Sequence, residues 1–171
     1  QDDLKSVLSQ LDATLSHRDS YIASREQRIE SLKTILKKSD FSDAQRYMLN
    51  QQLIDEYTPY QADSTIDYLY RNIELAKRMH DTGHLNESRI QLAYLYSSAG
   101  IYLEAANMLQ QIDTTTLDRK QLVDYYVARH KLNDELQLYS HDSMQGHESW
   151  RLTVAYAQLI VDNTDPTSVT H

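Results

Sequence analysis

The sequence predicts an all-α chain built from stacked antiparallel helix pairs, and three observations carry that reading. Three glycines and two prolines in 171 residues are too few for the turns of a sheet protein. Residues 86–117 hold two short amphipathic helices joined at Gly100, with Ala93 and Ala105 where two backbones would approach closely. Residues 1–38 contain no helix breaker and repeat their apolar residues in steps of four and three.

The N-terminal element, residues 1–40, carries Leu4, Leu8, Leu11, Leu15, Arg18, Ile22, Arg25, Ile29, Leu32 and Leu36 in one heptad phase. It is expected as a single long helix, or as a hairpin if Ser16 and Asp19 cap a restart. Leu4, Leu8, Leu11, Leu15, Ile22, Ile29, Leu32 and Leu36 could form a homodimer seam. The other reading is that the C-terminal half of this helix packs on its own chain.

Residues 41–161 are expected to form two and a half to three helix pairs. Ser42 with Gln45 marks an N-cap, and the helix that follows is expected to end near Thr58, ahead of Pro59. Asp63 or Ser64 is expected to cap the next helix and Gly83 to end it. In the central pair, Leu92, Ala93, Tyr96, Gly100, Tyr102, Ala105 and Leu109 are the predicted packing residues. Thr115 and Asp118 then precede a long helix carrying Leu122 and Tyr126. Residues 140–147 read as a polar loop, and a last helix is expected at about residues 148–161. That last helix is apolar on more than one face and the polar tail 162–171 caps nothing, so the tail is read as a truncation point.

Composition excludes more than it names. A net charge of −8 and a pI near 5.3 disfavour nucleic acid as partner. No apolar run is long enough to cross a bilayer. Zero cysteines remove disulfides, thiol catalysis and cysteine–zinc sites. Of seven histidines, His80 and His84 straddle Gly83, and His141 and His147 flank a loop, so no metal site is expected. Neither nucleophile elbow nor phosphate-binding glycine loop is present, so no enzyme and no cofactor are expected. Thirteen tyrosines against one Phe and one Trp suit thin helical layers, where a ring is buried and its hydroxyl reaches the edge.

The order Leu92-Ala93, Tyr96, Gly100, Tyr102, Ala105 and Leu109 resembles a tetratricopeptide repeat, a unit of about 34 residues. Arg89 stands where the family has a large residue, and Leu117 lies near the place of its closing proline. The resemblance implies an α-solenoid whose first helices line a concave face. Projection puts Glu87, Ile90, Gln91, Tyr94, Ser97 and Ser98 on that face, with Gln51, Asp55, Asp124 and Val127 from the neighbouring pairs. The lysine- and arginine-rich groove with which chaperone-tail binders of this family clamp a carboxylate is missing. A peptide or protein segment, or a small ligand, is the expected partner.

Longer blocks resemble one branch of the family: Arg18, Tyr21 and Arg25-Glu26; Tyr47, Asn50 and Glu56-Tyr57; Asp63-Ser64-Thr65-Ile66; Asn86-Glu87 and Val123-Asp124-Tyr125-Tyr126. They are similar to the N-terminal sensory region of membrane-anchored regulators of Bacteroidota. That resemblance implies a periplasmic sensor domain of a signalling or transcriptional regulator, while the residues themselves leave a cytoplasmic location open. A structural scaffold or dimerisation module without ligand is the alternative.

Overall fold

The computed structural model describes residues 2–38, 40–139 and 144–164, with side chains from residue 18 onward except 139, 144–147, 149 and 150. Among them are helices α1 (Asp2–Leu36), α2 (Asp43–Tyr57), α3 (Ala62–Met79), α4 (Thr82–Ser98), α5 (Tyr102–Gln110), α6 (Arg119–Tyr139) and α7 (Met144–Asn163). A 3-10 turn, Thr114–Thr116, precedes α6, and no strand occurs among the described residues. The pairs α2/α3, α4/α5 and α6/α7 stack in order, so the chain is an all-α, tetratricopeptide-like solenoid.

Helix α1 runs unbroken through Ser16 and Asp19. Its heptad residues divide between two fates. Ile29 is buried in the main core, and Leu32 and Leu36 pack against the same core. This end of the proposed dimer seam is therefore used inside the chain, because burying it on the first helix pair removes apolar surface from water. Ile22 is 43% exposed, and the side chains of Leu4, Leu8, Leu11 and Leu15 lie outside the described residues. Arg28 locks α1 to α2 through a bidentate pair with Glu56, at 2.6 and 3.0 Å. Arg46 reaches the carbonyls of Leu36 and Lys38 and so satisfies the end of α1.

Ser42 and Gln45 form a reciprocal capping box on α2. Helix α2 ends at Tyr57 with Thr58 as its C-cap, as expected, but Thr58 itself does not leave the helical region. It keeps right-handed helical angles (φ −47°, ψ −41°) despite preceding Pro59, because its N–H and its hydroxyl both bond to the Ile54 carbonyl. Asp63 and Ser64 do not cap α3. The N-cap is Gln61, whose side chain makes no capping bond, and whose carbonyl accepts from the Thr65 hydroxyl. Nor does Gly83 end that helix. His80 does, in the left-handed region at φ 54°, while Asp81 N–H bonds back to the Ala76 carbonyl. Asp81 then turns to α4, accepting from His84 N–H at 2.9 Å and holding His84 Nδ1 at 2.7 Å. Gly83 thus sits in the first turn of α4, where a Cβ would meet Asp81 Oδ1 at 3.4 Å.

The central pair is built as its spacing predicts. Leu92, Ala93, Ala105 and Leu109 have no exposed surface, Tyr96 is buried, and Tyr102 packs partly buried against them. Gly100 takes φ 78°, which lets Ile101 N–H return to the Tyr96 carbonyl. Arg89 replaces bulk with reach: its guanidinium donates to the carbonyl and side-chain oxygens of Gln111, at 3.2 and 3.0 Å, joining α4 to the end of α5. Leu117 packs on the core beyond the 3-10 turn, which Asp113 caps.

Asp118, without Thr115, caps α6, accepting from Gln121 N–H. Helix α7 begins at Met144 rather than near Glu148, so Gly146 lies inside it. Arg119 at the start of α6 donates to the Asn163 carbonyl at the end of α7, which fixes this pair as antiparallel.

Candidate binding trough

Helices α2, α4 and α6 are the first members of their pairs, and they enclose an open cavity of about 540 Å³. Ile54 and Asp55 come from α2, and Thr58 from its C-cap. Glu87, Ile90, Gln91, Tyr94, Leu95 and Ser98 come from α4, and Gln121, Asp124 and Val127 from α6, with Thr65 and Leu69 of α3 at the floor. Of the residues projected onto the inner face, Asp55, Glu87, Ile90, Gln91, Tyr94, Ser98, Asp124 and Val127 all line this trough. Tyr94 stands 44% exposed at its edge. Gln51 is beside it, donating through Nε2 to Asp55 Oδ1 and Gln91 Oε1, each at 3.3 Å.

Ser97 is not in the trough. It is fully buried, and its hydroxyl donates to the Ala93 carbonyl at 2.9 Å. Ser97 follows Ala93 by four residues and so shares the face that packs on α5, whereas Ser98 follows Tyr94. Residue projection missed Ile54, Thr58, Thr65, Leu69, Leu95 and Gln121. Gln121 precedes Asp124 by three and was legible from helical period alone. Thr65 and Leu69 belong to a second helix and reach the floor only because the pairs pack as they do.

The trough is acidic over an apolar base. Asp55, Glu87 and Asp124 are its charged lining residues, and no lysine or arginine lines it. Lys120 approaches Asp124 from the rim at 3.2 Å, and its pKa is raised chiefly by that carboxylate. Glu87 is anchored from beneath. The buried Tyr47 hydroxyl lies 3.2 Å from Glu87 Oε2, 3.1 Å from the His84 carbonyl and 3.1 Å from Ser88 Oγ. Burial raises the Tyr47 pKa, so the phenol stays a proton donor to this network.

The family described as the SusR N-terminal TPR domain matches residues 15–171. The chain belongs to this family. It is the branch that the sequence blocks resemble, the N-terminal tetratricopeptide-like region of Bacteroidota regulators. No curated protein matches the chain, and no solved structure does.

The chain's SusR-type TPR fold supplies a surface for binding. Among the described residues no three His, Asp or Glu converge to hold a metal ion, and no helix is long and apolar enough to cross a membrane. His84 is engaged by Asp81 and packs against the Tyr47 ring, centroids 4.2 Å apart and planes tilted by 49°, while His141 and the side chain of His147 lie outside the described residues. Three carboxylates and the amides of Gln91 and Gln121 give the trough hydrogen-bonding groups above its apolar base.

Proposed function

We propose that the trough holds an extended polypeptide or a small ligand, and that the chain is the extracytoplasmic input domain of a bacterial signalling or transcriptional regulator. One observation carries the binding half of this reading. The inner face is an open cavity of about 540 Å³ that mixes apolar surface with hydrogen-bonding side chains, instead of a sealed bundle core. The regulatory half rests on family membership and on the unbroken α1, whose C-terminal half is tied to the first pair through Ile29 and Arg28. A ligand that favours one spacing of α2, α4 and α6 would shift the pairs toward it, and α1 would carry the change. Periplasmic location belongs to the same proposal.

The experiment is selection of a displayed peptide library on the wild type, followed by binding to Tyr94→Ala and Gln91→Ala variants. Selected peptides should lose affinity by at least about tenfold on the variants, the scale of losing one good interface contact. Equal affinity would place binding elsewhere and defeat the reading. For the regulator, a membrane span and a basic helix-turn-helix region should be encoded after His171.

A scaffold or dimerisation module is the second reading, favoured by Tyr21 and Ile22, which stand 57% and 43% exposed on α1. Sedimentation of the wild type beside Ile22→Asp separates the two. A dimer that dissociates in the variant supports the seam, and monomers of both remove it.

A further inference from the structure

We propose that the occupant of the trough is a cationic polypeptide segment, an extended stretch whose lysine or arginine heads meet Asp55 and Glu87 while their alkyl stems lie on Ile54, Ile90 and Val127. This rests on the trough being the binding surface, and it adds the charge and the class of the guest.

Charge complementarity is the first ground. Among the described residues neither Asp55 nor Glu87 has a salt-bridge partner. Asp55 Oδ1 takes an amide proton from Gln51, and Glu87 Oε2 faces the Tyr47 phenol. Neutral donors leave both carboxylates without a direct ion pair, although Lys120, held by Asp124, lies close enough to Glu87 to feel its charge. Cations around the trough are already engaged: Lys120 with Asp124 at 3.2 Å, Lys131 with Glu135 at 2.6 Å, and Arg28, which lines a neighbouring pocket with Asp55, with Glu56 at 2.6 Å. An anionic guest would meet like charge at Asp55 and Glu87, whereas a cation gains two carboxylates and stands beside the exposed Tyr94 ring.

Shape is the second ground. The base of the trough is apolar, from Ile54, Leu69, Ile90, Leu95 and Val127, and runs across α2, α4 and α6, with Leu69 contributed by α3. Neighbouring helices about 8–10 Å apart make a run of roughly 20 Å, the length of about six extended residues. Lysine and arginine join an apolar stem to a charged head, the two chemistries that the base and wall present. An open run of this length fits a chain passing through better than a compact ion.

The test uses a blocked hexapeptide alternating lysine with alanine or leucine, a counterpart with every lysine acetylated, and a third with glutamate for lysine. Each is titrated into the labelled protein while the amide signals of residues 55, 87, 91 and 94 are followed by NMR. The lysine peptide should shift these signals, weaken with added salt, and bind at least about tenfold tighter than its acetylated twin. The isosteric pair Asp55→Asn and Glu87→Gln should erase that advantage. The same charge loss at Glu26→Gln and Asp63→Asn, away from the trough, should preserve it. Equal binding of the lysine and acetylated peptides at the trough would overturn the charge inference and leave the trough standing as a binding surface. Equal loss in both double variants would reduce the effect to bulk charge and also overturn it. Tighter binding of the glutamate peptide would reverse its sign. If no peptide moves the trough signals at millimolar concentration, the trough reading fails with it.

Discussion

Tyr47 and Ser88 join the first helices of successive pairs: their hydroxyl oxygens lie 3.1 Å apart, with both residues out of water. The same phenol touches Glu87, so the joint between pairs is also the underside of the trough wall. Tyr47→Phe removes the hydroxyl and takes from the buried Ser88 hydroxyl its side-chain partner. The expected cost is about 1–3 kcal/mol in urea unfolding, the range for stranding a buried polar group. A double-mutant cycle with Ser88→Ala should return a coupling outside error. Additive effects would mean that the two hydroxyls do not act together.

Ala93 and Ala105 have no exposed surface, and each marks the close approach of α4 and α5. Ala105→Leu should destabilise by about 1–3 kcal/mol through overpacking. Ser98→Ala, on the trough edge, should stay within about 0.5 kcal/mol. Thermal unfolding of the two variants checks the contrast.

Among the described residues two hold positive φ, and they should answer substitution in opposite directions. Gly100 at φ 78° has open space where a Cβ would stand, so Gly100→Ala is penalised for conformation alone, by about 1 kcal/mol. His80, at φ 54°, already bears that penalty as a side-chain residue. His80→Gly should therefore leave stability unchanged or raise it by a few tenths of a kcal/mol, since relieved strain outweighs the added freedom of the unfolded chain.

Arg28 holds Glu56 below the usual glutamate range, chiefly through their hydrogen bond, and Arg78 does the same for Asp43. A carboxylate depressed in the folded state contributes stability that is complete above its unfolded pKa, near 4, and is lost as pH falls through the lower folded value. The urea midpoint of the wild type should therefore drop between pH 5 and pH 2.5. Glu56→Gln should start lower and lose less over that window. An identical acid-induced drop in both proteins would show that the Arg28–Glu56 pair carries none of it.

The parts of the fold that were legible are those where spacing alone dictates geometry. Gly100 with Ala93 and Ala105 defines a helix pair by steric need, and helical period places Asp55, Gln91, Tyr94 and Asp124 along one wall. The same period argues against Ser97, which shares the buried face of Ala93. Other features depend on partners that sequence order hides. His80 ends α3 because Asp81 reaches forward to cap α4, so the glycine three residues later is left inside a helix. Thr58 stays helical because its own hydroxyl adds a bond to the Ile54 carbonyl. Thr65 and Leu69 reach the trough floor only through packing between pairs. The heptad of α1 could not tell an internal face from an external one, since Ile29 and Ile22 are equally apolar and only one meets α2.

The most direct measurement is the reactivity of single thiols in this cysteine-free chain. Tyr94→Cys and Gln91→Cys place a thiol on the trough wall, and Ser97→Cys places one on the packed face of the same helix. Under native conditions a bulky maleimide should label the first two at rates close to a free thiol, while Ser97→Cys should react only once the fold opens. Protection of all three positions alike would mean that the helices close into a sealed bundle, with no trough for a guest.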